Sequence, residues 1–171
     1  MERSHTPRPG VTRTLTLLGI LLAASAAPAA AQERERCIPA ERFLSEEMGF
    51  VVLTEPDTID DWRTRQRVPG CRVTAARIAT RSLGAEAEAF YETLRQSGWT
   101  RTPDPRDAPN ESSLRFRLEQ TDCLFNVYAG PIMGTPAELE VSTAVVPGPG
   151  ERRFNMLVQC MPAMTAAPRG R

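Results

Sequence analysis

The 171-residue chain has no lysine, one histidine, 6% aromatic residues and no C-x-x-C pair. Without lysine there is no Schiff-base chemistry. The histidine, His5, sits in a segment organised like a secretory signal. Arg3, Arg8 and Arg13 make a basic start, and Leu15, Leu17, Leu18, Ile20, Leu21 and Leu22 form an apolar middle. Ala29-Ala30-Ala31 then offers a small-residue cleavage site before Gln32. Cleavage after Ala31 leaves 140 of the 171 residues with no imidazole. That excludes Ser-His-Asp and Cys-His constellations, imidazole zinc ligands and imidazole acid–base catalysis. No G-x-S-x-G, Walker or dinucleotide-binding glycine pattern occurs either. Neither a metal nor another cofactor is expected.

Other shortages bound location and partners. The apolar run of the signal is too short and too rich in alanine for a spanning helix, and nothing later approaches about 20 apolar residues. No cysteine follows the cleavage point directly, which argues against a lipid anchor. Basic and acidic residues both number 21, and the signal removes three Arg and one Glu, leaving 18 against 20. That balance predicts no nucleic-acid partner. The expectation is an exported chain, periplasmic or secreted. An all-arginine basic set with abundant Ala and Pro favours a bacterial envelope.

Four cysteines are present, Cys37, Cys71, Cys123 and Cys160. An even count in an oxidising compartment predicts two disulfides. Residues 32–70 read as an N-terminal arm: a frayed start, a short helix from Pro39 to Met48 ahead of Gly49, and a strand from Phe50 to Leu53. A helical turn is expected to start at Thr58. Trp62 to Val68 alternates, with Arg63, Arg65 and Arg67 on one face, before Pro69-Gly70 breaks the chain.

Residues 71–161 read as the core. Cys71 to Ala79 is a strand candidate. Leu83 to Gln96 is an amphipathic helix with Leu83, Ala87, Phe90, Tyr91 and Leu94 on one stripe. Gly98 suits the position after the C-cap, which lets Trp99 fold back onto Leu94. Pro103 to Ser112 is a loop on composition. Leu114–Glu119 and Cys123–Val127 alternate around a turn at Gln120–Asp122. Glu138–Val145 alternates as a third strand of this run, and Phe154–Cys160 as a fourth. Residues 162–171 make a flexible tail.

This predicts an α+β fold: one amphipathic helix packed on an antiparallel β-meander in β-α-β-β-β-β order, with a short N-terminal helical segment. Cystatin-like folds share that order, although no Q-x-V-x-G segment occurs here. In such a meander the strands of Cys123 and Cys160 run in the same sense with one strand between them. The two cysteines then lie roughly 20 Å apart along the sheet, beyond disulfide reach. Cys71 begins its strand, and one placement of the helix puts it near Cys123, so the expected pairs are Cys71–Cys123 and Cys37–Cys160.

Trp62 to Arg81 carries six arginines and no acid, whereas Gln32 to Asp61 carries nine acids against three arginines. The two segments pair with each other or solvate the surface on one reading. On the other, Arg63, Arg65 and Arg67 present forks to an anionic ligand. Ile132 and Met133, in the loop from Gly130 to Pro136, read as a hydrophobic plug under a long hairpin loop or as candidate partner contacts. Trp62 and Trp99 read as packing residues. The functional expectation is a small exported, non-enzymatic binding or structural domain contacting an envelope protein or an anionic envelope component. The alternative is a carboxylate-dependent hydrolase of cell-wall or glycan material, using acids such as Glu111 or Asp122.

Overall fold

The computed structural model describes residues 26–102, 104, 113–130 and 134–164. Helix α1 (Ala26–Glu35) precedes α2 (Ile38–Arg42), which runs on into a π-helical turn (Phe43–Glu47). Then come β1 (Val51–Asp61), β2 (Gln66–Ala79), α3 (Leu83–Gln96), β3 (Thr100–Arg101), β4 (Ser113–Leu118), β5 (Thr121–Tyr128), α4 (Pro136–Ala144) and β6 (Arg152–Pro162). The six strands form one antiparallel sheet in the order β1-β2-β6-β5-β4-β3. Strands β3 to β6 form an antiparallel meander that opens with β3, which was not expected, and has no strand at 138–145; the β1–β2 hairpin docks on β6. The expected cleavage point lies within α1, and the boundary drawn after residue 70 lies within β2. Residues 1–25, the loop from 105 to 112 and the tail from 165 lie outside the described residues.

Alternation along each strand gives the sheet two unlike faces. One carries Val73, Ala75, Phe116, Phe125, Phe154, Met156 and Val158, covered by Phe90, Tyr91 and Leu94 of α3 and by Ala40, Phe43 and Leu44 of the N-terminal helical segment. Phe90 is the hub, edge-on to Phe43 at 5.6 Å and tilted against Phe125 at 5.8 Å. Such pairs add about 1 kcal/mol each beyond their buried area. The opposite face is polar, with Arg115, Arg117, Asp122, Asn126 and Gln159 among its residues. Helix α4 covers only one end of it, through Val141 and Val145 against Ala76, Leu53 and Ile78.

The ends of α3 follow from its sequence. Ser82 caps the start by accepting from the Ala85 N–H. Gly98 adopts φ +89°, its N–H bonds to Arg95 O at 3.2 Å, and the Trp99 N–H bonds to Leu94 O at 3.3 Å. This is the expected Schellman closure. It delivers the Trp99 indole edge-on to Phe125 at 5.4 Å. At the other end Glu86, 1% exposed, accepts from Arg77 at 2.5 Å and from the Thr80 and Arg81 N–H groups. The Arg77 guanidinium lies 5.2 Å from the Phe50 and Phe154 ring centres.

Five expectations are corrected. Glu138–Val145 is not a strand: Thr135 and Glu138 form a full capping box around Pro136, and Pro136–Ala144 is helical. Val141 and Val145, four apart, are buried, while Leu139 is 65% exposed. With a helix in that place, β5 and β6 become antiparallel neighbours and Cys123 stands directly opposite Cys160. The disulfides are accordingly Cys37–Cys71 and Cys123–Cys160, not the pairs expected. Thr58 lies in β1 rather than opening a helical turn, and β2 continues through Pro69-Gly70 instead of breaking there. Gly70 is needed because a Cβ on it would stand 2.3 Å from Cys160 O and 2.7 Å from the Ile59 side chain. The β4–β5 turn is Glu119–Gln120, with Glu119 at φ +52°, one residue earlier than expected.

Candidate functional site

The three arginines expected on one ridge occupy three different settings. Asp61 pairs with Gln66 across the β1–β2 hairpin, so Trp62–Arg65 is a four-residue loop where strand alternation does not apply. The Thr64 and Arg65 N–H groups bond to Asp61 O at 3.1 and 2.8 Å, and Arg65 takes φ +58°. Arg65 is exposed. Arg67 faces Asp60 at 3.4 Å with both side chains more than 70% exposed, at 72% and 74%. A pair of that kind contributes less than about 1 kcal/mol. Arg63 turns inward. Ile132 and Met133 lie outside the described residues.

Arg63 is the centre of a buried ionic network. Its Nε donates to Asp61 Oδ1 at 2.9 Å, Nη2 to Asp61 Oδ2 at 3.1 Å, and Nη1 to Asp122 Oδ2 at 2.6 Å. Asp122 has no exposed surface and is gripped from the other side by Arg117, Nε to Oδ1 at 2.6 Å and Nη2 to Oδ2 at 2.9 Å. Arg117 and Asp122 are directly opposite across the β4–β5 hairpin. Met161 Sδ lies 3.5 Å from Arg63 Nη2 and 3.6 Å from Arg115 Nη1. Burial by itself would raise both carboxyl pKa values. The hydrogen bonds from Arg63 to Asp61, and from Arg117 and Arg63 to Asp122, outweigh it and hold both below the ordinary range. Asp122 therefore stays ionised and holds no proton to give a leaving group. Glu111 lies outside the described residues.

Met161, which Arg63 touches, and Arg115 beside it also line a pocket. Trp62, read from the sequence as a packing residue, is instead 63% exposed. It stands at a pocket of about 180 Å³ lined also by Ile59, Arg115, Leu124, Gln159 and Met161. The reason for its exposure is local. The loop sends Arg63 into the network and leaves its neighbour facing water.

The larger cavity is on the other side of the sheet. Between α3 and the β4–β5 edge runs a cleft of about 560 Å³, lined by Leu83, Gly84, Ala87, Tyr91, Leu114 and Val127, with Glu88, Arg95 and Arg101 adding charge. The Tyr91 hydroxyl is turned away from solvent and donates to Phe125 O at 3.0 Å. Burial raises its pKa well above the ordinary phenol value. Arg95, twelve residues after Leu83, lies about 18 Å along the helix from it, so the cleft is elongated. Arg95 also pairs with Glu92 on its own helix.

The sequence reading treated α3 purely as a core helix and missed Arg95 and Arg101. Nothing local in the sequence marks Arg95 and Arg101, which the fold brings to one cleft from α3 and β3. Among the described residues no group of three or more His, Cys, Asp or Glu is arranged to hold a metal, and no helix is long and apolar enough to cross a membrane. The chain matches no protein-family model, no curated protein and no solved structure.

Proposed function

We propose that this chain is an exported binding domain that takes an amphipathic anion, an apolar body with a carboxylate or phosphate head, in the α3 cleft. The observation carrying the reading is the cleft's composition. Leu83, Ala87, Leu114 and Val127 form an apolar trough, and Arg95 and Arg101 stand towards the C-terminal end of α3. A volume of about 560 Å³ falls in the ordinary range for small-molecule sites. The signal-like start and two disulfides support an extracytoplasmic location, periplasmic or secreted, where such ligands derive from envelope lipids.

The test is thermal unfolding of the disulfide-intact chain with laurate, with dodecanol and with inorganic phosphate. Laurate below its micelle concentration should raise Tm saturably, and phosphate alone should not. Dodecanol separates the apolar trough from the cationic end and should bind more weakly. Gly84→Leu adds a side chain where a Cβ meets nothing within 4 Å. It should block the cleft while keeping or improving helix stability. Arg101→Glu should weaken laurate binding and reduce its salt dependence. No saturable shift with laurate, or a Gly84→Leu variant that binds like the parent, refutes the reading.

A further inference from the structure

We infer that the pocket beside Trp62 is a subsite for one neutral sugar ring, independent of the α3 cleft. The first reason is how Trp62 is held. Its neighbours Asp61 and Arg63 are 4% and 6% exposed, and the Arg63 N–H and guanidinium both close on the Asp61 carboxylate. Arg63 then reaches Asp122, 59 residues away in sequence. Burying paired charges is a weak way to gain stability compared with apolar packing. What this arrangement does fix is the loop backbone that presents the indole to water. A loop ordered before a ligand arrives has little backbone freedom left to lose on binding.

The second reason is the pocket itself. About 180 Å³ suits a single ring rather than an acyl chain. Its wall mixes apolar Ile59, Leu124 and Met161 with hydrogen-bonding Gln159 and Arg115. A pyranose is amphipathic in the same sense, with C–H faces that stack on an indole and hydroxyl edges that seek amides. The Asn126 amide is already spent, donating to Leu124 O and Leu157 O and accepting from Ser113. Gln159 makes no side-chain hydrogen bond among the described residues, which leaves a donor and an acceptor for adjacent hydroxyls.

Charge decides between ligand classes. The charged groups lining the pocket are Asp60 and Arg115, one of each sign, and Asp61 and Asp122 behind it are matched by Arg63 and Arg117, so the ionic groups largely cancel and an uncharged ligand suits the site. A proline-rich peptide docks in grooves lined by several aromatics. Trp62 is the one strongly exposed aromatic among the described residues.

Tryptophan fluorescence reads the site directly, because Trp99 is 4% exposed and Trp62 is 63% exposed. The disulfide-intact chain, recovered from the periplasm of an expression host, is titrated with chitotriose, with cellotriose and with a proline-rich decapeptide. At least one sugar should give a saturable emission change. Trp62→Phe should weaken binding less than Trp62→Ala, which should weaken it about tenfold or more. Because Trp62→Ala removes that reporter, its affinity is measured by calorimetry. Gln159→Ala should also weaken binding, and both alanine variants should keep the parent's urea midpoint. Saturation by neither sugar, saturation by the peptide alone, or an unchanged affinity in Trp62→Ala each overturns the inference.

Discussion

Replacing Arg63 with alanine strips Asp61 of its guanidinium partner and Asp122 of one of two. The side chains of Arg63, Asp61 and Asp122 are 3%, 4% and 0% exposed, so water does not take over these hydrogen bonds without local opening. Breaking a buried pair from one side costs about 3–5 kcal/mol, and Arg117, which keeps its two bonds to Asp122, should hold the loss near the lower end. That is a large part of the roughly 5–15 kcal/mol typical of a domain. Arg67→Ala removes only the exposed contact with Asp60 and should cost less than about 0.5 kcal/mol. Urea unfolding of the oxidised chain, with an unchanged m-value, measures both.

The pH dependence gives an independent reading. Both carboxyls have folded pKa values below the unfolded value of about 4, so the unfolded chain binds more protons. Their contribution is present above that value and fades as pH falls through the lower folded values. In Arg63→Ala both folded values should rise, so stability should depend less on pH below about 4. A loss under about 1 kcal/mol in Arg63→Ala, or equal losses in the two variants, refutes this reading of the network.

Three further outcomes are expected. Non-reducing peptide mapping should recover Cys37 linked to Cys71 and Cys123 to Cys160, and a Cys123→Ala/Cys160→Ala chain should lose about 4 kcal/mol to urea for its sequence separation of 37. Gly70→Ala should cost more than about 1 kcal/mol, because its Cβ would meet the Cys160 carbonyl at 2.3 Å; an unchanged urea midpoint would contradict the close approach. Thr135→Ala should cost about 1 kcal/mol by removing one half of the α4 capping box, read by the same denaturation.

What was legible in the sequence was local. The stripe and the Gly98-Trp99 closure of α3 lie within seventeen residues, 83 to 99, and period-two alternation marked β4, β5 and β6. Helix α4 escaped because Leu139, Val141, Thr143 and Val145 satisfy period two while Val141 and Val145 also satisfy a spacing of four. The Thr135–Glu138 capping signal decides between them, and it went unread. That single misreading reversed β6 relative to β5, and the disulfide pairing failed with it. Arg63 was hidden for another reason. Nothing nearby in sequence distinguishes an arginine at a hairpin tip from one that folds inward to a carboxylate 59 residues away. The α3 cleft was equally out of reach, since it depends on how far the helix stands off the sheet.

Cys71, Cys160 and Cys123 occupy one rung across β2, β6 and β5. The Cα atoms of Cys123 and Cys160 are 4.1 Å apart, the close spacing of a non-hydrogen-bonded pair. The Cys160 carbonyl accordingly points the other way, towards β2, beside Gly70. In a reduced chain the Cys160 thiol thus has a neighbour on either side, and only Cys37, arriving on the segment that leads into α2, withdraws Cys71 from the contest. A premature Cys71–Cys160 link leaves Cys37 and Cys123 only each other, a non-native pairing. Oxidative maturation therefore depends on the order in which the helical segment and the sheet assemble, and a chain that oxidises too early needs an isomerase rather than more oxidant.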